Sequence, residues 1–347
     1  MLRSTFSTAN ANAWRSAAAV LLIGAAAPAT AAADSLVFVK DHNVFLAAPD
    51  GSKLTAVTTD GTADSPYRSP SQSDDGTIAA SKDRLILRLR QNGEVINTID
   101  PPELRTSAST PIDGVPVAVA ISPDGTKIAY QYATYNCPIG VSCMGRSATG
   151  VTWADRPTPA TAFATTYFNH PRWVGNNRLV VGGGYLSHAN LVDVNAVGVA
   201  PTHWFDDQDY FSPSSDLGQT SVSRDGSRVA SIHGYDGGTE SNKRLVWFKS
   251  TADPRTAPLP PSNPEALCVT SVVPGLEDPV WSPSGDGLAF VIPEGIQVAT
   301  SVPRDEDSCA AFSSTLVFPG ASEPDWGPAD VNPQPRTQPT PGGGTGT

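Results

Sequence analysis

The sequence predicts an all-β fold, a six-bladed β-propeller closed by its C-terminal strand. Three observations predict it. A strand–turn–strand unit recurs about every fifty residues. Its turns are rich in Asp-Gly and Asn. The last copy of the unit lacks a downstream partner, whereas the first strands of the chain lack an upstream one. Units of four short strands at this period are the mark of a propeller. A pair of β-sandwiches would explain the strands, but neither the period nor the split unit.

The repeat is read from its turns. Ser73-Asp74-Asp75-Gly76, Ser122-Pro123-Asp124-Gly125, Ser223-Arg224-Asp225-Gly226 and Ser282-Pro283-Ser284-Gly285 each precede a short apolar strand. Trp173-Val174-Gly175-Asn176-Asn177 is a degenerate copy. Asp-Gly and Asn pairs are expected to supply the positive φ of two-residue hairpin turns. Four residues ahead of each turn stand Ser69, Ala118, His170, Gln219 and Asp278, at spacings of 49, 52, 49 and 59. Pro70, Pro171 and Pro279 come next in three copies, and Trp173 and Trp281 recur three positions after the aligned residue. A sixth copy, Glu323-Pro324-Asp325-Trp326-Gly327, lies 45 residues after Asp278. Third strands are expected at Arg84–Leu89, Gly150–Trp153, Asn190–Val194, Arg244–Phe248 and Gly295–Ala299.

The front of the chain supplies the missing partner. Ser35–Val39, Asn43–Ala47 and Leu54–Val57 read as three strands without a leading one. The strand around Glu323 is expected to complete that blade. Ring closure of this kind removes open sheet edges from the closing blade.

The unit Pro279-Val280-Trp281-Ser282-Pro283-Ser284-Gly285, followed by a short apolar strand ending in an aromatic, resembles the TolB-type (WD40-like) β-propeller repeat. Asp278 to Val291 and Val119 to Tyr130 carry the resemblance best, and Leu36 to Gly61 is similar to that family's strand–strand–turn pattern. The resemblance covers roughly residues 35 to 327. It implies the propeller fold and leaves function open. Similar repeats serve in periplasmic Tol components, in the propellers of prolyl-oligopeptidase-type peptidases and in some lyases.

The two ends of the chain read differently. Arg3 and Arg15, the apolar run Ala17–Ala27 and the small residues up to Ala33 have the layout of a signal peptide, assigned here to residues 1–33. The apolar run has 11 residues. That is too short to span roughly 30 Å of hydrocarbon. The propeller is assigned to 34–328 and a disordered Pro/Gly-rich tail to 329–347. The mature protein is therefore expected outside the cytoplasm: secreted, periplasmic or attached to the cell wall, without stable membrane insertion. Four cysteines fit export; the favoured pairs are Cys137–Cys143 and Cys268–Cys309.

Charge excludes one class of partner. The chain carries a formal charge of −11, which is the wrong sign for a nucleic-acid binder. No Gly-x-Ser-x-Gly, His-Glu-x-x-His or phosphate-loop motif is present. The candidate site is the channel ring: Glu323, Ser69, His170, Gln219 and Asp278, with Ala118 at the sixth position. Innermost strands of a propeller surround its axis, so these side chains are expected to converge. Two carboxylates, an imidazole and an amide could take a divalent cation, a basic peptide end or a sugar. No cofactor is otherwise expected. A second candidate is a recognition loop with Trp204, Phe205, Tyr210 and Phe211 among acidic residues. The resulting expectation is a monomeric, non-catalytic binding or scaffold module of the cell envelope. Its partner would be a protein, a peptide or a glycan. The alternative is an extracytoplasmic lyase or hydrolase working at the channel.

Overall fold

The computed structural model describes residues 34–106, 109–136, 144–159, 161–182, 189–205, 217–234, 243–250, 252–256 and 266–333. The proposed signal peptide, Cys137, Cys143, Tyr210, Phe211 and the tail from residue 334 lie outside them. Among the described residues no helix is long and apolar enough to cross a membrane.

Among the described residues, six antiparallel sheets of three or four strands follow one another around an axis, beside one two-stranded pair, Leu104–Arg105 with Pro111–Ile112. Blade 1 holds Ser35–Lys40, Asn43–Ala47 and Thr55–Ala56, with Ala321–Gly327 as its innermost strand. The closing pair runs from Ser35 opposite Gly327 to Lys40 opposite Ala321. Blade 2 is Tyr67–Gln72, Ile78–Lys82, Leu85–Leu89 and Val95–Ile99. Blade 3 is Ala118–Ile121, Lys127–Asn136 and Met144–Trp153. Blade 4 is Asn169–Val174, Arg178–Gly182, Ala189–Asp193 and Thr202–Phe205. Blade 5 is Leu217–Val222, Arg228–His233, Arg244–Lys249 and Ala266–Val269. Blade 6 is Glu277–Trp281, Leu288–Ile292, Gly295–Ala299 and Thr315–Pro319. The expected third strands all form, with ends shifted by at most a few residues except in blade 3.

Blade 3 departs from the four-strand plan. Its outer position has only an isolated bridge between Thr149 and Thr166. The connecting segment carries Pro157 and Pro159, which cannot donate to a ladder. Its two long strands instead pair over ten residues, out to Asn136 opposite Met144.

The apolar side chains form six clusters, one between each pair of adjacent blades. Each blade is therefore packed on both faces. In Ser35–Lys40, Leu36 and Phe38 pack toward blade 6 while Val37 packs toward blade 2. This two-sided burial is why the strand reads as a continuous apolar run rather than an alternating one. Full burial of each such side chain contributes about 1.5–3 kcal/mol.

The Ser-x-Asp-Gly turns differ from the expected two-residue type. In three copies the Gly amide donates to the Ser carbonyl, as for Gly76 to Ser73 at 3.0 Å. Only the glycine has positive φ, 81°, 70° and 76° at Gly76, Gly125 and Gly226. The turn is thus a longer one in which glycine alone takes the left-handed conformation. Serine and aspartate staple it shut. The hydroxyls of Ser73, Ser122 and Ser223 each donate to the Asp two residues on at 2.6 Å. The same carboxylates accept the amides of Thr77, Thr126 and Ser227.

A disulfide joins Cys268, in the outer strand of blade 5, to Cys309, in the short 3-10 helix Glu306–Ala311 that precedes the outer strand of blade 6. It links two adjacent blades rather than closing one unit, and it fits an oxidising compartment. The segment expected to begin the disordered tail is packed at its start. Val331 is 6% exposed and sits in the core between blades 1 and 2. Gln91 donates to the Asp330 carbonyl and accepts the Asn332 amide, and Lys53 pairs with Asp330 at 2.8 Å.

Candidate functional site

Five of the six aligned positions share one unusual local structure. Each is the first residue of a bulge in which two inner-strand residues oppose one on the next strand. Ser69-Pro70 face Ala80, His170-Pro171 face Val181 and Gln219-Thr220 face Ser231. Asp278-Pro279 and Glu323-Pro324 do the same against Phe290 and Phe38. The first residue of every bulge has φ between 47° and 54°. For a residue other than glycine this costs roughly 1–2 kcal/mol. Proline follows in four of the five copies, where the ladder is already interrupted and no amide is required.

In three copies the bulge turns the amide of its first residue toward the preceding blade. The Ser69 amide donates to the Glu323 carboxylate. The Asp278 amide donates to Gln219 Oε1 at 2.6 Å. Val119 donates to Ser69 Oγ at 2.9 Å. In blade 3 the aligned residue, Ala118, has no bulge and no polar side chain. Gln131, directly opposite it on the middle strand, supplies the acceptor instead. Its Oε1 takes the His170 amide at 2.9 Å, and its Nε2 donates to Asn169 Oδ1 at 3.0 Å. Side chains of one blade thus latch the backbone of the next.

The expected convergence is present. Ser69, Ala118, His170, Gln219, Asp278 and Glu323 line one cavity of about 110 Å³ at the bulged end of the channel. Arg172 joins them and was not foreseen. Its guanidinium lies 3.4 Å from Asp278 Oδ1, and both side chains are about one-fifth exposed. Burial pushes the Glu323 carboxyl up to about 7. The Ser69 amide opposes this, the Asp278 charge adds to it, and Arg68 and Arg172 pull it back. Ser69 is not set up as a nucleophile, because its hydroxyl is engaged with the Val119 backbone in both directions. Among the described residues no group of three or more His, Cys, Asp or Glu side chains is placed to hold a metal ion.

Arg172 also borders a second, larger cavity of about 330 Å³ toward the turn end. All six blades contribute to its wall. Asp325 there accepts Ser71 Oγ at 2.9 Å and the Gln72 amide at 2.8 Å. Asp74 of blade 2 pairs with Arg224 of blade 5. Those blades are three apart in a ring of six, so the pair spans the axis.

The recognition-loop expectation is corrected at Trp204. This residue lies in the outer strand of blade 4 and is 1% exposed. Pairing of Thr202–Phe205 with Ala189–Asp193 turns its indole into the core shared with Leu217, Val229 and Phe248. Phe205 ends that strand; its side chain, Tyr210 and Phe211 lie outside the described residues.

No family profile and no curated protein matches the chain. Its fold is similar to that of solved structures of low identity. A protein provisionally assigned as TolB, from Agrobacterium tumefaciens, is 16% identical with a TM-score of 0.49, covering 84% of this chain and 91% of that one. A Mycobacterium tuberculosis puromycin-hydrolyzing peptidase is 14% identical with a TM-score of 0.47, over 82% of this chain and 42% of that one. A protein provisionally assigned as a 6-phosphogluconolactonase, from Bacteroides fragilis, is 9% identical with a TM-score of 0.44, over 86% and 99%.

Proposed function

We propose that this propeller is an exported, monomeric, non-catalytic binding module of the cell envelope. Its bulged channel mouth takes a basic side chain, Arg or Lys, from a protein or peptide partner. One observation carries this reading. Two carboxylates, Glu323 and Asp278, share a small cavity, and the fixed cation Arg172 lies 3.4 Å from only one of them. Glu323 is left with its carboxyl pushed up to about 7. An incoming ammonium or guanidinium supplies the missing counter-charge through charge-assisted hydrogen bonds. An uncharged glycan does not. The Cys268–Cys309 disulfide supports an oxidising location.

The test is calorimetric titration with an arginine dipeptide amide and with its uncharged citrulline counterpart. The arginine probe is expected to bind at least tenfold more tightly, and near pH 7 to displace a proton from Glu323. Glu323→Gln with Asp278→Asn should abolish the difference. Equal binding of the two probes, or none, overturns the reading.

A second reading, a lyase or hydrolase acting in the channel, draws on the same carboxyl. A group held near neutrality can both give and take a proton. Under that reading Glu323→Gln abolishes turnover of an envelope substrate while leaving its binding intact.

A further inference from the structure

The larger chamber shares Arg172 with the acidic mouth but differs from it in charge. Its volume of about 330 Å³ falls in the range of small-molecule sites. Arg172, Arg224 and Arg255 line it, Arg172 being the least exposed of the three. The acids near it are already provided for. Asp325 is held by the Ser71 hydroxyl and the Gln72 amide. Asp253 chelates Arg255, with contacts of 2.8 Å to both Nε and Nη2. Asp278, the partner of Arg172, lines the other cavity. The Asp74–Arg224 pair reaches across the axis, and its side chains are 46% and 38% exposed.

We propose that this turn-side chamber binds a small organic oxyanion between Arg172 and Arg224, and that Asp74 is an internal carboxylate that holds Arg224 until the ligand arrives. The chemistry favours exchange. An exposed ion pair contributes only about 0–1 kcal/mol, so Asp74 is easily displaced. A ligand carboxylate or phosphate offers Arg224 the same oxygen geometry, in which guanidinium forms paired hydrogen bonds. Unlike Asp74, a ligand inside the chamber also reaches the partly buried Arg172. Asp74 is well placed to return, because its amide is anchored to the Pro123 carbonyl of blade 3 at 2.8 Å.

The experiment is calorimetric titration of the full mature chain with inorganic phosphate and, separately, with succinate, at low salt. Saturable binding of either is expected. Binding of phosphate alone or of succinate alone supports the site and identifies its head group. Asp74→Asn should tighten binding about two- to fivefold, because Arg224 is released and a competing carboxylate is removed. Arg224→Gln should weaken it at least tenfold, both alone and in the Asp74→Asn background. Urea unfolding of each variant checks that the propeller remains intact, and Arg224→Lys serves if Arg224→Gln does not fold. Absence of saturable binding to both the natural chain and Asp74→Asn overturns the proposal. So does an Asp74→Asn variant no tighter than the natural chain. These probes are anions, so their failure leaves the cationic-ligand reading of the opposite mouth standing.

Discussion

The two ends of the channel are built from the same six strands yet handle charge in opposite ways. At the bulged end, register shifts aim polar side chains along the axis, where their partners belong to neighbouring blades. Glu323 holds the Ser69 amide and Gln219 holds the Asp278 amide. At the turn end, the carboxylates of the Ser-x-Asp-Gly turns are satisfied locally. Asp225 accepts from Ser223 and Ser227 within its own turn. The first arrangement leaves Glu323 with its carboxyl pushed up to about 7. In the second, burial tends to raise Asp225, but the Ser223 hydroxyl, the Ser227 amide and hydroxyl and Arg228 outweigh it and hold the group down at about 2. Burial outweighs the single cross-blade amide at Glu323, whereas the donors of its own turn and Arg228 outweigh burial at Asp225.

The largest test of this contrast is Arg172, which separates the two cavities. Arg172→Met removes the fixed cation that pairs with Asp278 and lowers Glu323 through its charge. Removing one member of a buried ion pair costs up to 3–5 kcal/mol; the partial exposure of this pair reduces the expectation to about 2 kcal/mol. The loss should be larger at pH 8 than at pH 5, because Glu323 is largely protonated at pH 5. Urea unfolding at the two pH values measures it. Equal losses would mean that Glu323 and Arg172 are not electrostatically linked.

Much of this arrangement was legible in the sequence. The five ring residues recur at one phase of the repeat, and a recurring phase in a propeller is a position around the axis. The bulges were not legible, because period-2 reasoning assumes an unbroken register. The prolines were their trace: in four of five copies proline follows the left-handed residue, inside the inner strand. Arg172 and Gln131 escaped for a different reason. Each occurs in one blade only, so no repeat pointed to it, although Gln131 is a polar interruption in an otherwise apolar strand, Ile128 to Ala133. Trp204 was misplaced because acidic neighbours suggested a loop. Strand pairing with Ala189–Asp193 overrode that local composition.

The next test uses the opposite titrations of the two ends. Glu323 has its carboxyl raised in the folded state from an ordinary value of 4.5 to about 7. Its contribution to stability is therefore complete below pH 4.5 and is lost as pH rises through 7. Asp225 is depressed from 3.8 to about 2. Its contribution is complete above 3.8 and is lost as pH falls through 2. Glu323→Gln should accordingly raise stability at pH 8 relative to pH 5, by about 2 kcal/mol. Asp225→Ala should cost about 1 kcal/mol at neutral pH, the net worth of the hydrogen bonds lost, and should flatten the acid limb of the stability curve between pH 4 and 2. Chemical unfolding across pH 2 to 8 measures both. If the two variants alter the same limb, the two ends do not differ in the way described.

The smallest expected effect concerns Asp74. An exposed pair contributes about 0–1 kcal/mol, so Asp74→Asn should shift the unfolding midpoint by less than about 0.5 kcal/mol equivalent. The axis-spanning pair would then be dispensable for the fold, which is held by six interblade cores and by the latches of the bulged end. A loss above about 1.5 kcal/mol would mean that the pair braces blades 2 and 5, and that the turn end, like the bulged end, relies on contacts across the ring. The measurement therefore decides whether the two ends divide their labour. If stability is indifferent to Asp74, cross-ring contacts carry structure only where the bulges aim them. The turn-side pair is then free to open without strain on the strands that enclose it.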